Sequence, residues 1–194
     1  NALRNEIRDY AREHELPFFD IREQTGFLRN LVMRTSVTTG EVLIMLIVFE
    51  DRPGLVQQLF THLAERFDFV TDWLWLHNPK KNDSYAELEP QVWRGEGYIT
   101  EKLGDYTFKI SPTSFFQTNS HQGLRLYEVA REFAGDKVDL LYDLYCGTGT
   151  IGIFCEQLAE RVVGVEYNQA SVDDAGENAA LNSLSDKMKF YAGD

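Results

Sequence analysis

The chain has 194 residues, 43% of them hydrophobic and 13% aromatic, and a formal net charge of −12. That is apolar material for one or two globular cores, while the longest apolar run, Val42–Phe49, falls far short of the roughly 18–20 residues a membrane helix needs. The acidic balance argues against a free-standing nucleic-acid binder, because affinity for phosphate comes mainly from Lys and Arg.

Residues 2–14 suit a short helix of mixed charge. Phe18–Thr35 and Glu41–Phe49 are rich in β-branched and apolar residues and read as a hairpin turning at Thr38-Thr39-Gly40. Pro53-Gly54 opens a helix to about Arg66, with Leu55, Leu59, Leu63 and Phe67 on one face. Thr71–Leu76 is a further strand, and a polar loop follows. Glu96–Leu103 and Tyr106–Ile110 form a second hairpin around Gly104-Asp105, which completes an α+β domain over 1–110. Ser111–Asn119 mixes apolar and hydrogen-bonding residues without a clean period, and His121–Phe133 is an amphipathic helix. Strand 139–144, helix 150–159, strand 162–166, helix 169–182 and strand 187–192 then alternate. Such alternation gives a parallel sheet with right-handed crossovers. Three strands are half of a doubly wound sheet, so the chain is expected to be a fragment whose strand 187–192 leaves an open edge. The two cysteines, Cys146 and Cys155, make no disulfide or metal framework, and a reducing cytoplasm is the default location. His14, His62, His77 and His121 are scattered without metal-ligand spacing.

The chemistry concentrates where the first of these parallel strands ends. Asp143 is followed, after three residues, by Gly147-Thr148-Gly149, and the next strand, Val162–Val165, ends in Glu166. Glycines let a backbone approach a ligand closely, and an acid ending the second strand can bind a ribose diol. Gly147-Thr148-Gly149-Thr150-Ile151-Gly152 also satisfies the dinucleotide pattern G-x-G-x-x-G. A pyrophosphate at that helix start would be repelled by Asp143, whereas the sulfonium and ammonium groups of S-adenosylmethionine are attracted to a carboxylate. The loop therefore looks like the first motif of a class I methyltransferase. A nicotinamide-dependent oxidoreductase is the competing reading of the loop.

Ser111-Pro112-x-Ser114-Phe115-Phe116-Gln117-x-Asn119, Asp143-Leu144-Tyr145-Cys146-Gly147-Thr148-Gly149 and Gly164-Val165-Glu166 together resemble the RNA uracil-C5-methyltransferase family, whose members make 5-methyluridine in tRNA and 23S rRNA. The resemblance covers essentially the whole chain. It implies a partial Rossmann-like α/β sheet over 111–194, preceded by a smaller α+β central domain over 1–110. It also implies S-adenosyl-L-methionine as cofactor and structured RNA as partner. Carried over by motif, Gln117 reaches into the cofactor and target pocket, Tyr145 packs beside the methionine or adenosine moiety, and Glu166 binds the ribose hydroxyls. Gly147 and Gly149 admit the cofactor, and Thr150 stands where members often have Asn. Asp194 is placed to accept from the adenine amino group. Phe115 is a candidate wedge against a flipped base. Asp143 is assigned cofactor-side electrostatics only.

Family members add a cysteine thiolate to C6 of uracil, and a carboxylate later removes the C5 proton. Both groups lie beyond Asp194 in the family pattern, as the RNA-binding β-barrel lies before Asn1. The chain alone is therefore expected to be inactive. Cys146, inside the glycine turn, reads as a small buried residue rather than a nucleophile. A class I methyltransferase acting on another substrate would share only the glycine loop and Glu166. Glu166→Ala is expected to weaken cofactor binding with little loss of fold stability.

Overall fold

A computed structural model describes residues 1–85 and 87–193. The chain divides into two compact units, Asn1–Ser36 with Gly40–Ile99, and Val37–Thr39 with Thr100–Asp194.

The first unit holds helices α1 (Ala2–Glu13) and α2 (Pro53–Ala64) and strands β1 (Leu28–Thr35), β2 (Val42–Val48), β3 (Asp72–His77) and β4 (Gln91–Arg94). The sheet order is β1-β2-β3-β4. β1 and β2 pair antiparallel, β2 and β3 parallel across the α2 crossover, and β3 and β4 antiparallel. β2 lies inside the sheet with nearly every side chain buried, which is why it reads as a continuous apolar run. Leu3, Ile7 and Tyr10 of α1 and Val56, Leu59, Phe60 and Leu63 of α2 share one core with Ile44, Leu46, Trp73 and Trp75. Pro53 occupies the first turn of α2, where its missing N–H would have had no helical partner.

Several expectations shift here. The first hairpin strand begins at Leu28, because Phe18–Gly26 forms a loop in which Asp20 Oδ1 accepts the Arg22 and Glu23 amides at 2.7 and 3.0 Å. The buried face of α2 is turned toward Val56 and Phe60, leaving Leu55 and Phe67 only partly buried. β4 had no clear signal, since a four-residue edge strand carries little periodicity.

The second unit contains the hairpin of β5 (Ile99–Leu103) and β6 (Tyr106–Ile110), helix α3 (Ser120–Ala134), and the parallel sheet β7 (Val138–Leu144), β8 (Ala159–Glu166) and β9 (Met188–Ala192). Helix α4 (Thr150–Phe154) follows β7 and α5 (Gln169–Leu181) follows β8. The compact units thus part after Ile99, not after residue 110. The cause is visible in α5. Asn178 Oδ1 accepts the Lys109 amide at 2.7 Å, and Asn182 both accepts from the Thr107 amide at 2.9 Å and donates to its carbonyl at 2.7 Å. These side chains act as a strand partner for β6, so the hairpin belongs with the sheet that follows it. The helix expected over 150–159 is a single turn followed by a 3-10 segment at Glu156–Leu158. The three-stranded order β7-β8-β9 makes β7 an edge as well as β9, and β7 carries the exposed Val138, Tyr142 and Leu144.

Glu101, buried on β5, binds the Val37–Thr39 segment through the Val37 amide at 2.9 Å and the Thr38 amide at 3.1 Å. Burial pushes its carboxyl up, but donors from Thr38, Val37 and Ser120 outweigh burial and hold it below the usual glutamate value near 4.5. A depressed folded-state value contributes stability above the unfolded value, and that contribution is lost as pH falls through the folded one. Glu101→Gln is expected to lower the urea midpoint at neutral pH and to flatten the acid limb of the stability profile below about pH 4.5. Denaturation series at stepped pH check this, and parallel profiles for the two proteins would contradict it.

Candidate functional site

β7 delivers Asp143 to the start of the glycine loop, and β8 delivers Glu166 alongside it through their parallel register. The two carboxylates divide the loop between them. Glu166 Oε2 accepts the Gly147 amide at 3.0 Å and Oε1 accepts the Asn168 amide at 3.0 Å. Asp143 is buried, and its Oδ2 accepts the Gly152 amide at 2.8 Å. The Cys146 amide goes to the Val165 carbonyl and the Gly149 amide to the Cys146 carbonyl, at 3.0 and 2.9 Å. Asp143 was expected to act on a cofactor by charge alone; it also fastens the first turn of α4. Burial pushes its carboxyl up, and the Gly152 hydrogen bond pulls partly the other way.

Two glycines have steric reasons. Gly149 sits at φ +77°, and a Cβ there would lie 3.1 Å from both Ala175 Cβ and the Phe190 ring. Gly164 lets β8 pass under Phe190, where a Cβ would meet the ring at 2.4 Å and Cys146 Sγ at 2.9 Å. The Cys146 thiol is pushed up to about 12, first by burial and then by the Asp143 and Glu166 charges. Burial also raises Cys155. A protonated, buried thiol is no nucleophile.

Tyr145 adopts φ +63°, in the left-handed region that a bulky side chain avoids, and its side chain is 86% exposed. Strain of this kind, of order 1–3 kcal/mol, persists where surrounding structure imposes it and marks functional turns. Thr150 has its hydroxyl 3.3 Å from that of Tyr127 on α3. Asp194 lies outside the described residues.

The Ser111–Asn119 loop is anchored separately. Ser111 Oγ donates to Asp174 Oδ1 on α5 at 2.8 Å, and Asn119 caps α3 by accepting the Gln122 amide at 3.1 Å. Phe116 is buried against Phe108, whereas Phe115 is 76% exposed, which settles which of the two aromatics is core. Gln117 is half-buried, and its side chain makes no hydrogen bond among the described residues. Gly123 permits its approach to α3, since a Cβ there would sit 3.1 Å from Gln117 Cβ. Asp143, Gly147, Gly149, Thr150 and Glu166 are thus joined in one network around the loop. The Ser111–Asn119 loop that carries Gln117 and Phe115 is joined to it through α5, where Ser111 meets Asp174, and through α3, whose Tyr127 meets Thr150.

Sequence reasoning missed Asn178. It is fully buried and donates to the Thr148 carbonyl at 3.0 Å, tying the glycine loop to β6 through α5. Asp174, Asn178 and Asn182, spaced at four residues on an otherwise alanine-rich helix, were the available signal.

The family model described as tRNA (Uracil-5-)-methyltransferase matches residues 91–190. The chain belongs to this family. An uncharacterized RNA methyltransferase of Bacteroides thetaiotaomicron is 43% identical across all of this chain and 43% of its own length. A tRNA (uracil(54)-C(5))-methyltransferase of Pyrococcus horikoshii is 36% identical over 92% of this chain and 41% of its own length. Among solved structures, the Pyrococcus abyssi tRNA (uracil-54, C5)-methyltransferase in complex with S-adenosyl-L-homocysteine superposes with a TM-score of 0.78 at 26% identity, over 98% of this chain and 45% of that one. The chain therefore spans less than half the length of these relatives.

The two amides on Glu166 revise one expectation. Removing its carboxylate leaves the Gly147 and Asn168 N–H groups without their partners, so Glu166→Ala is expected to cost about 1–3 kcal/mol of stability. Urea unfolding of the variant checks this, and an unchanged midpoint would contradict the assigned hydrogen bonds.

Proposed function

We propose that this chain is the cofactor-binding part of an S-adenosyl-L-methionine-dependent RNA uridine C5-methyltransferase. The observation that carries the reading is the state of the loop amides. A dinucleotide pyrophosphate needs free N–H groups at the glycine turn. Here the Gly147 and Gly152 amides are already held by Glu166 and Asp143, and that of Gly149 by a carbonyl. What the loop offers instead is negative charge, which suits a cationic, phosphate-free cofactor. A carboxylate has about four acceptor sites, so Glu166 can hold two amides and still accept ribose hydroxyls.

In this reading Tyr145 lies beside the adenosine or methionine moiety, and Gly147 and Gly149 let the cofactor approach the backbone. Asp143 supplies charge from behind the loop. Thr150 contributes backbone more than hydroxyl, because its Oγ1 meets Tyr127. Asp194 is assigned to the adenine amino group. Gln117 and the exposed Phe115 face the target base, and Phe115 is free to stack on a uracil taken out of its helix. The cofactor, when bound, supplies the methyl group. The residues of this chain bind and orient it, and none of them is assigned the covalent attack on uracil. The family membership and the S-adenosyl-L-homocysteine complex of the structural neighbour support the same assignment. No helix is long and apolar enough to cross a membrane among the described residues.

Methyl transfer to uridine in tRNA or 23S rRNA transcripts, with the product nucleoside identified by mass spectrometry, tests the proposal. The full-length gene product is expected to form 5-methyluridine, its Gln117→Ala variant to lose at least tenfold in rate, and the 194-residue chain alone to form none. Methylation of cytosine or protein instead would overturn the specificity.

A further inference from the structure

The chain is acidic overall, yet four arginines line one groove of the first unit, beside apolar side chains. Arg4, Arg8 and Arg12 repeat every four residues along the exposed side of α1. That spacing stacks them on one helix face with a rise of about 6 Å between neighbours. With β1 they enclose a groove of about 660 Å³ that Arg29 also lines, and no carboxylate is among its lining residues. α1 also carries Glu6, Asp9 and Glu13, none of which lines the groove. Glu6 bonds His62 at 2.7 Å and Arg66 at 3.1 Å on the α2 side. Asp9 touches Arg8 at 3.3 Å and Arg12 at 4.0 Å through exposed side chains, a contact that salt screens and a competing anion displaces. Arg4 has no ion pair among the described residues.

Arg29 lies at the groove floor as a paired cation. Its side chain is buried, its guanidinium donates to the Asn78, Lys80 and Asn82 carbonyls and to Asp83 Oδ1 at 3.1 Å, and its Nε has no partner among the described residues, so the exposed charge of the groove comes from the α1 arginines. Beside the cations the groove presents apolar surface, with Phe18 49% and Met33 44% exposed. Regularly spaced cations next to an exposed aromatic ring are the elements that hold an unpaired nucleic-acid strand, the cations tracking phosphates and the ring receiving a base.

We propose that the groove between α1 and β1 binds the phosphate backbone of an unpaired RNA segment through Arg4, Arg8 and Arg12, with Phe18 as a stacking surface. The choice of RNA rests on the methyltransferase reading; the concentration of positive charge stands without it. The groove is part of the first unit and the glycine loop part of the second.

Fluorescence anisotropy of this chain with a labelled single-stranded RNA of about a dozen nucleotides, across a salt series, tests the proposal. The triple variant Arg4→Ala, Arg8→Ala, Arg12→Ala is expected to bind at least tenfold more weakly at low salt. Its slope of log affinity against log salt should be shallower by about 2, near 0.7 for each lost phosphate contact. Phe18→Ala should weaken binding about fivefold or more without changing the slope. Arg161→Ala, on β8, should change neither. The three arginines are exposed, so melting curves should match the parent protein. No RNA binding by the parent chain, or equal affinity and slope in the triple variant, would overturn the proposal. So would competition by polyglutamate as effective as by RNA, which would assign the groove to an acidic protein segment. Titration of the triple variant with S-adenosyl-L-homocysteine separates the two readings. Retained cofactor binding with lost RNA binding is the expected result. Undiminished RNA binding by the triple variant, with cofactor bound by both proteins, would sink the groove, and failure of the cofactor to bind parent and variant alike would sink the cofactor reading while leaving the groove.

Discussion

The glycine loop after β7 is held in place from two sides by carboxylates. Glu166 takes the amide at the first glycine of the turn and Asp143 the amide of Gly152 in α4. A loop with several successive donors would otherwise be a site for anions. By occupying the amides of all three glycines of the loop from within, the protein turns the same backbone shape into a surface that favours a cation. The loop's sequence admits two cofactors; the placement of its hydrogen bonds favours one.

That arrangement depends on elements well away from the loop. α5 presents Asp174, Asn178 and Asn182 along one stripe. Through it the helix holds Ser111, the β6 backbone and the Thr148 carbonyl together. Asparagine is a poor residue for a helix interior because its side chain competes for backbone groups. Here the competition is the purpose, since the backbone groups it captures belong to a strand edge and to the loop. The motif loop at Ser111–Asn119, the hairpin before it and the glycine turn thereby share one support. Hairpin and sheet form one compact unit for the same reason.

The alternation of strands and helices from β7 onward was legible because each parallel strand is an apolar run ended by a polar or glycine-rich turn. The glycine loop was legible as well, since an acid, a short spacer and Gly-x-Gly carry steric and hydrogen-bonding reasons that Gly149, Glu166 and Asp143 display. Less visible were features fixed by contacts remote in sequence. The four-residue strand β4 is defined by its pairing with β3. The rotation of α2 toward Val56 and Phe60 follows from the aromatic cluster of Phe60, Trp73 and Trp93. The assignment of the β5–β6 hairpin rests on two asparagines that lie some seventy residues further along the chain. Net charge is blind to local arrangement. A total of −12 describes the whole chain, while Arg4, Arg8 and Arg12 share one helix face.

The measurement that tests the central claim most directly is calorimetric titration of this chain with S-adenosyl-L-homocysteine and, separately, with NAD. A loop whose amides are already taken by Asp143 and Glu166 should bind the former and give no heat with the latter. Selective binding of NAD would mean that the loop releases those amides to a pyrophosphate, and the account of the site given above would be wrong at its root.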